Sequence, residues 1–311
     1  MDWIRFGRTE LKVSPAGLGC GGNSRLGLAT GGDVSSAERL VREALDLGVN
    51  FFDTARVYGT EQIVGRAVAG KRADVVISSK TLFRRRDESY MPASELVASL
   101  EKSLVRLRSD YLDVFSLHGV SDEHLDHCLN EYVPELERQK ALGKIRHLGI
   151  TESFRHEPQH QMLIRAIPSG CFDVVMVGFN FLNTVAREEV LQLAIEHDVA
   201  TQVMHAVRRA LSNNERLRQV MVELLQVGEI DPTVVDLADP LGFLRRAGES
   251  VTDIAYRYCR HEPGVSVVLT GTGNVDHLAK NVSAINGNPV PDTIMNELNR
   301  AFGLVRSTSA D

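Results

Sequence analysis

Eight short runs rich in β-branched, aromatic and small apolar residues recur along the 311-residue chain, at 16–20, 50–55, 75–80, 112–118, 145–151, 173–180, 200–207 and 265–271. Segments with helical spacing lie between them, and no other feature narrows the fold as much. Most runs are nearly continuous in apolar character, as strands are when a parallel sheet is covered by helices on its outer face. The intervening segments carry apolar residues three and four apart. Ala37, Leu40, Val41, Ala44 and Leu45 end at Gly48, Ile63, Val64, Ala67 and Val68 end at Gly70, and Leu96, Leu100, Leu104 and Leu107 form a third stripe. Both glycines stand where a helix needs a left-handed terminating residue.

Eight strand–helix units with no composition break predict an α/β protein, one closed (β/α)8 barrel domain over 1–311. Ahead of the first unit, 4–13 reads as a β-hairpin turning at Gly7-Arg8. After the last, 291–305 reads as an extra C-terminal helix and 307–311 as a frayed end. The longest interruption, 208–249, follows the seventh strand and contains NNERLRQVMVELLQVG, which reads as an inserted helix. On the C-terminal face of a barrel such an excursion either shapes a pocket or simply packs.

A hydrophobic content of 43% with 24% charged residues supplies enough apolar material for a substantial core. The formal net charge of −6 argues against nucleic acid as a partner, because phosphate binding needs a clustered excess of Lys and Arg. The one basic cluster, Arg84-Arg85-Arg86, is short and reads as a solvated loop. Cys20, Cys128, Cys171 and Cys259 lie far apart with no C-x-x-C pair, which suggests free thiols rather than disulfides or a zinc site. The opening MDWIRFGRTELKV is too polar for a signal peptide, and no apolar run approaches the ~18 residues that span a bilayer. A cytoplasmic protein with no membrane partner is therefore expected.

The second run lies in FFDTARVYGTE, an apolar stretch that closes on Asp53 and is followed by Tyr58. Lys80 ends the third run and His118 the fourth. In a parallel barrel the C-terminal strand ends converge on one mouth, so these four side chains are expected to face the same hollow. The combination has a chemical use. A free phenol has a pKa near ~10, and an adjacent ammonium such as Lys80 lowers it. Asp53 on the neighbouring strand would keep the lysine charged despite burial. His118 can donate a hydrogen bond that orients a carbonyl oxygen. Together the four would deliver a proton to an oxygen gaining negative charge, the oxygen half of a carbonyl reduction. The hydride has to come from a nicotinamide cofactor. Taken singly, each residue has an ordinary reading: a turn cap, a packed loop aromatic, a solvated strand end, a hydrogen-bonded core histidine. Only the joint pattern favours chemistry.

FFDTARVYGTE, VVISSK, LDVFSLHG, ALGKIRHLGIT and the N-terminal FGRTELKVSPAGLGCGG, in their order and spacing over nearly the whole chain, resemble the aldo-keto reductase superfamily. The resemblance implies a (β/α)8 barrel that reduces aldehydes and ketones to alcohols. It implies NADPH as the usual cofactor, with NADH open, and a small-molecule carbonyl or alcohol as substrate. Carried over by position, the family's catalytic tetrad falls on Asp53, Tyr58, Lys80 and His118, with Tyr58 as proton donor. The cofactor residues it implies are Gly21, Asp53, Thr151, Glu152, Met176, His205, Arg208, Gly271, Gly273, His277 and Asn281. Several depart from the family's pattern. Thr151-Glu152 stands where a Ser-Asn pair is usual, Met176 where a glutamine, His205 where a stacking tyrosine or tryptophan, and His277 where a glutamine is common. The grip on a 2′-phosphate is open among Arg208, Arg209 and Lys280.

Other strings support other readings less well. Gly17, Gly19 and Gly22 spell G-x-G-x-x-G, but the following NSRLGLATGGDVS cannot open a helix at once, and Asp53 comes 31 positions after Gly22 where a Rossmann acid is about 20 on. His156-Glu157-Pro158-Gln159-His160 spells H-E-x-x-H, yet Pro158 interrupts the helix that would align two zinc ligands, and no metal is expected. Lys80 as a Schiff-base lysine would need to lose the charge that Asp53 protects. A non-enzymatic alternative is a cofactor-binding regulatory protein of the same fold with little turnover, as in related channel subunits. Leu26, Phe83, Phe179 and Phe181 are candidates to line an apolar substrate pocket or to be ordinary core.

Overall fold

The computed structural model describes residues 2–311. A two-stranded antiparallel hairpin, β1 (Ile4–Arg5) and β2 (Lys12–Val13), precedes eight barrel strands. These are β3 (Ala16–Gly19), β4 (Phe51–Asp53), β5 (Val76–Thr81), β6 (Leu112–Val120), β7 (Ile145–Glu152), β8 (Val174–Gly178), β9 (Ala200–Met204) and β10 (Val267–Thr270). Each pairs in parallel with the next, and β10 pairs back onto β3 to close the ring. The eight apolar runs coincide with the eight strands, their ends displaced by at most three residues.

Period-two alternation divides each strand between two environments. Val76 of β5 packs with Phe51, Val114, Val174, Ala200 and Val267 inside the N-terminal end of the barrel. Two residues on, Ser78 faces Gln202 across the interior at 3.3 Å, and two further on is Lys80. Ile77 joins the larger core between strands and helices. The interior thus grades from apolar at the bottom to polar at the C-terminal mouth.

The hairpin plugs the bottom, where Phe6 and Val13 join the apolar layer and the Phe6 ring meets Phe51 at 5.3 Å between centroids. The expected tight turn at Gly7-Arg8 is instead a 3-10 turn over Gly7–Thr9, followed by Glu10 in the left-handed region at φ 59°. Docking explains the wider loop. The Arg8 N–H donates to the Asp198 carbonyl at 2.7 Å, and a Cβ on Gly7 would stand 2.5 Å from the Ala200 nitrogen.

Helices α1 (Val34–Asp46), α2 (Glu61–Ala67), α3 (Ala93–Leu107), α4 (Asp122–His127), α5 (Val133–Ala141), α6 (Gln161–Ala166) and α7 (Val190–Glu196) surround the barrel. They continue with α8 (Arg209–Ser212), α9 (Asn214–Gln226), α10 (Gly242–Arg246), α11 (Val251–Arg260), α12 (Val275–Ile285) and α13 (Asp292–Phe302). On α1 the stripe Ala37, Leu40, Val41 and Ala44 is buried, and Asp33 with Ser36 forms a capping box. Residues 208–249 hold α8, α9 and α10, with the Asn213 side chain capping α9. No described helix is long and apolar enough to cross a membrane.

One expectation is corrected, and one open choice is decided. Residues 307–311 are not frayed: Ala310 is fully buried, its carbonyl accepts from the Ala210 N–H at 3.0 Å, and the Asp311 side chain pairs with Arg208. Leu26, Phe83, Phe179 and Phe181 are core residues, each no more than 3% exposed, and do not line the cavity described below. Apolar side chains near the mouth are drawn under the loops by the same burial that builds the core.

Candidate active site

A cavity of about 790 Å³ opens at the C-terminal end of the barrel. Asp53, Tyr58 and His118 line it at the barrel axis, with Lys80 directly beneath. Strand geometry accounts for the grouping. β4 and β5 pair with Asp53 level with Ser78, so Lys80, two residues on and on the same face, rises beside the aspartate. Lys80 is level with Ser116 on β6, and His118 again lies two residues on. Tyr58 hangs in the 3-10 turn Arg56–Tyr58 beyond β4. Its ring rests on the backbone at Gly21, where a Cβ would come within 2.5 Å of it.

The Lys80 ammonium donates to both Asp53 carboxylate oxygens at 2.7 Å and to the Thr54 carbonyl at 2.9 Å. The ammonium also lies 5.0 Å from the Tyr58 ring centroid. Burial is the largest single influence and works against that charge, but Asp53 and Tyr58 together carry the Lys80 pKa above its ordinary value. The Tyr58 hydroxyl lies 3.4 Å from His118 Nε2, the two rings edge to face. Burial, followed by the Lys80 charge, pushes the His118 pKa down to about 3, so the imidazole is neutral. Its Nδ1 is buried without a partner.

The expected lowering of the Tyr58 pKa is not what the structure gives. Burial raises it, with Lys80 pulling the other way. At this partly enclosed position, desolvation of a phenolate costs more than the neighbouring cation returns.

The cofactor candidates divide. Gly21, Asp53, Met176, His205, Arg208, Gly271, His277 and Asn281 line the cavity, and so do Arg209 and Lys280. Thr151, Glu152 and Gly273 do not. Thr151 accepts the Gly119 N–H at 2.8 Å, where β6 is irregular. The buried Glu152 carboxylate accepts from the Gly178 N–H at 2.6 Å and meets His160 Nδ1 at 2.8 Å. Gly273 lies against Gly27, whose Cα a Cβ there would approach to 2.3 Å. His160 is thus turned toward Glu152 while His156 Nδ1 contacts Ser153, so the H-E-x-x-H string assembles no metal site. Among the described residues no cluster of three or more metal-ligating side chains occurs.

Sequence reading missed Thr270 and Tyr256, both in the cavity wall. The Thr270 hydroxyl meets the Tyr256 hydroxyl and the Asn281 amide, each at 2.9 Å, and so ties α11 and the middle of α12 to the end of β10. No motif marks this, because the three residues come from separate elements.

A closed (β/α)8 barrel with a lysine-backed phenol and a neutral imidazole at its C-terminal mouth defines a class of barrel equipped for proton transfer at a small-molecule oxygen. Residues 18–301 match the profile of the Aldo/keto reductase family, and the chain belongs to that family of oxidoreductases. It is 26% identical over 292 residues to the uncharacterized oxidoreductase YqkF of Bacillus subtilis, covering 91% of this chain and 90% of YqkF. The fold matches aldo-keto reductase AKR11C1 of Bacillus halodurans in its holo form, at a TM-score of 0.75 and 24% identity over 99% of this chain and 97% of that one. It also matches an aldo-keto reductase from Klebsiella pneumoniae in complex with NADPH, at a TM-score of 0.69 and 22% identity over 100% and 98% of the two chains.

Proposed function

We propose that the protein reversibly reduces an aldehyde or ketone to an alcohol with NADPH, Tyr58 giving the proton. The observation that carries this reading is the Asp53–Lys80 pair buried beneath Tyr58 and His118 at one cavity. We take residues 1–311 as one barrel domain, with 208–249 an excursion from its mouth.

When bound, the nicotinamide supplies the hydride for the carbonyl carbon. The chain's part lies at the oxygen. A neutral His118 can donate one N–H to a carbonyl oxygen and hold it beside the Tyr58 hydroxyl. The raised pKa keeps Tyr58 protonated and ready to donate. Once the proton leaves, the phenolate faces the Lys80 ammonium, which Asp53 keeps charged. Lys80 therefore acts on the charged state of Tyr58, the one reached during transfer.

The shape and chemistry of the cavity fit a dinucleotide. Its lining includes Tyr58 and His118, Met176 and His205, Arg208, and His277, Lys280 and Asn281 of α12. Met176 and His205 suit the ring, and the cationic wall and helix start suit phosphates. The NADPH complex of the Klebsiella relative supports the choice of cofactor.

The displacement of Thr151 and Glu152 from the wall favours a second reading, a cofactor-binding regulatory protein with little turnover. One experiment separates them. Wild-type protein mixed with NADPH and a panel of aromatic aldehydes should oxidise the cofactor. Tyr58→Phe should lose roughly 10²–10⁴-fold in kcat while still binding NADPH. Binding without turnover in the wild type supports the regulatory reading, and a Tyr58→Phe variant as fast as wild type ends the assignment of the proton donor.

A further inference from the structure

Residues 306–311 form a strap across the wall of the cavity. Arg306 pairs with Glu188 at 2.6 Å, and the N–H groups of Arg306 and Ser307 donate to Glu229 at 3.0 and 3.1 Å. The Asn183 amide donates to the Thr308 carbonyl at 2.8 Å. The strap ends on Asp311, whose side chain is only 8% exposed. Ordering such a segment costs on the order of 1–2 kcal/mol of backbone entropy per residue, which these contacts have to offset.

Asp311 gathers arginines from separate elements. It takes Nε and Nη2 of Arg208 in a two-pronged pair, at 3.1 and 3.0 Å. Arg155 Nε lies 3.0 Å from Oδ2 and Arg209 Nε 3.7 Å from Oδ1, while Arg216 donates to the Asp311 main-chain carbonyl at 2.8 Å. Against the pull of burial, Arg208 and Arg155 hold the Asp311 carboxyl below its ordinary pKa. One carboxylate thus faces several guanidinium groups, and positive charge is left over. Arg208 and Arg209 line the cavity, whereas Asp311 does not. The carboxylate therefore sits behind the arginines and leaves the space before them open.

We infer that Asp311 is a positioning residue for ligand binding: by occupying Nε and Nη2 of Arg208 it fixes the guanidinium and leaves Nη1 for a phosphate group of the dinucleotide. The inference rests on the cofactor reading above. A free arginine would have to surrender side-chain entropy on binding the anion, and Asp311 removes that cost in advance.

The test compares wild type with Asp311→Asn, Asp311→Ala and Asp311→Glu, titrating NADPH by fluorescence and inorganic pyrophosphate by calorimetry. Asn and Ala should raise the Kd for both about tenfold and raise the KM for NADPH. They should leave kcat at saturating NADPH nearly unchanged, with only a modest fall in the thermal midpoint from the loosened strap, and Glu should restore most of the affinity. A merely structural role would instead lower the midpoint and kcat together. Asp311→Asn binding both probes as well as wild type, or more tightly, overturns the inference, the tighter case meaning that Asp311 competes with the anion. A wild type that binds pyrophosphate but not NADPH, with the same dependence on Asp311, supports the positioning role and sinks the cofactor reading. Binding of neither probe by wild type sinks both.

Discussion

Lys80 is enclosed by acceptors, and its removal would leave the Asp53 carboxylate buried with no cation. Lys80→Met should therefore destabilise the protein by about 3–5 kcal/mol, read from urea unfolding. Adding Asp53→Leu should recover much of that loss, because the pair would be replaced by apolar groups, yet leave the reductase activity absent. If the double variant is no more stable than the single one, the buried charge is not the cause. These residues were legible because strand parity alone sets their direction: Asp53, Lys80 and His118 follow from counting along β4, β5 and β6. Glu152 was not. Its direction depends on Gly178 and His160, partners that neither its strand nor its spacing reveals.

At the scale of elements, the hairpin is held by packing more than by pairing. β1 and β2 share only the pairs Ile4–Val13 and Arg5–Lys12, while Phe6 is fully buried against the barrel floor. Phe6→Ala should cost about 3–5 kcal/mol in unfolding free energy. The Kd for NADPH should stay near the wild-type value, since the plug lies at the end of the barrel away from the cavity. A loss under 1 kcal/mol would mean the hairpin is not part of the cooperative fold, by the same area arguments that make a buried aromatic costly. Helices and strands were read from local periodicity, and even α9 was visible as an inserted helix in NNERLRQVMVELLQVG, its cap at Asn213 being supplied by the structure. The strap at 306–311 was not visible, because it has no periodicity and is ordered by Asn183, Arg208 and Glu229, all distant in the chain.

Across the whole molecule, two partly buried, neutral histidines in the cavity wall tie stability to pH. Burial, aided by Lys80 for His118 and by Arg208 for His205, holds each pKa at about 3. The unfolded chain takes up those protons near pH ~6.5, so below that pH the unfolded state binds more protons and stability falls as pH drops. Each histidine contributes a slope of up to about 1.4 kcal/mol per pH unit. Urea midpoints should decline from pH 6.5 toward 4.5, and His205→Gln should roughly halve that part of the slope. A flat wild-type profile would contradict neutral imidazoles at these positions. The amino-acid order by itself determined the strand and helix succession, the closed parallel barrel, and which strand-end side chains share its mouth, because these follow from local periodicity and fixed strand geometry. Only the tertiary structure decided that Tyr58 is a partly desolvated, weakened acid, that Glu152 turns away from the cavity, and that Asp311 stands behind Arg208. Those outcomes depend on desolvation and on charged partners brought together from distant parts of the chain, which no local pattern encodes.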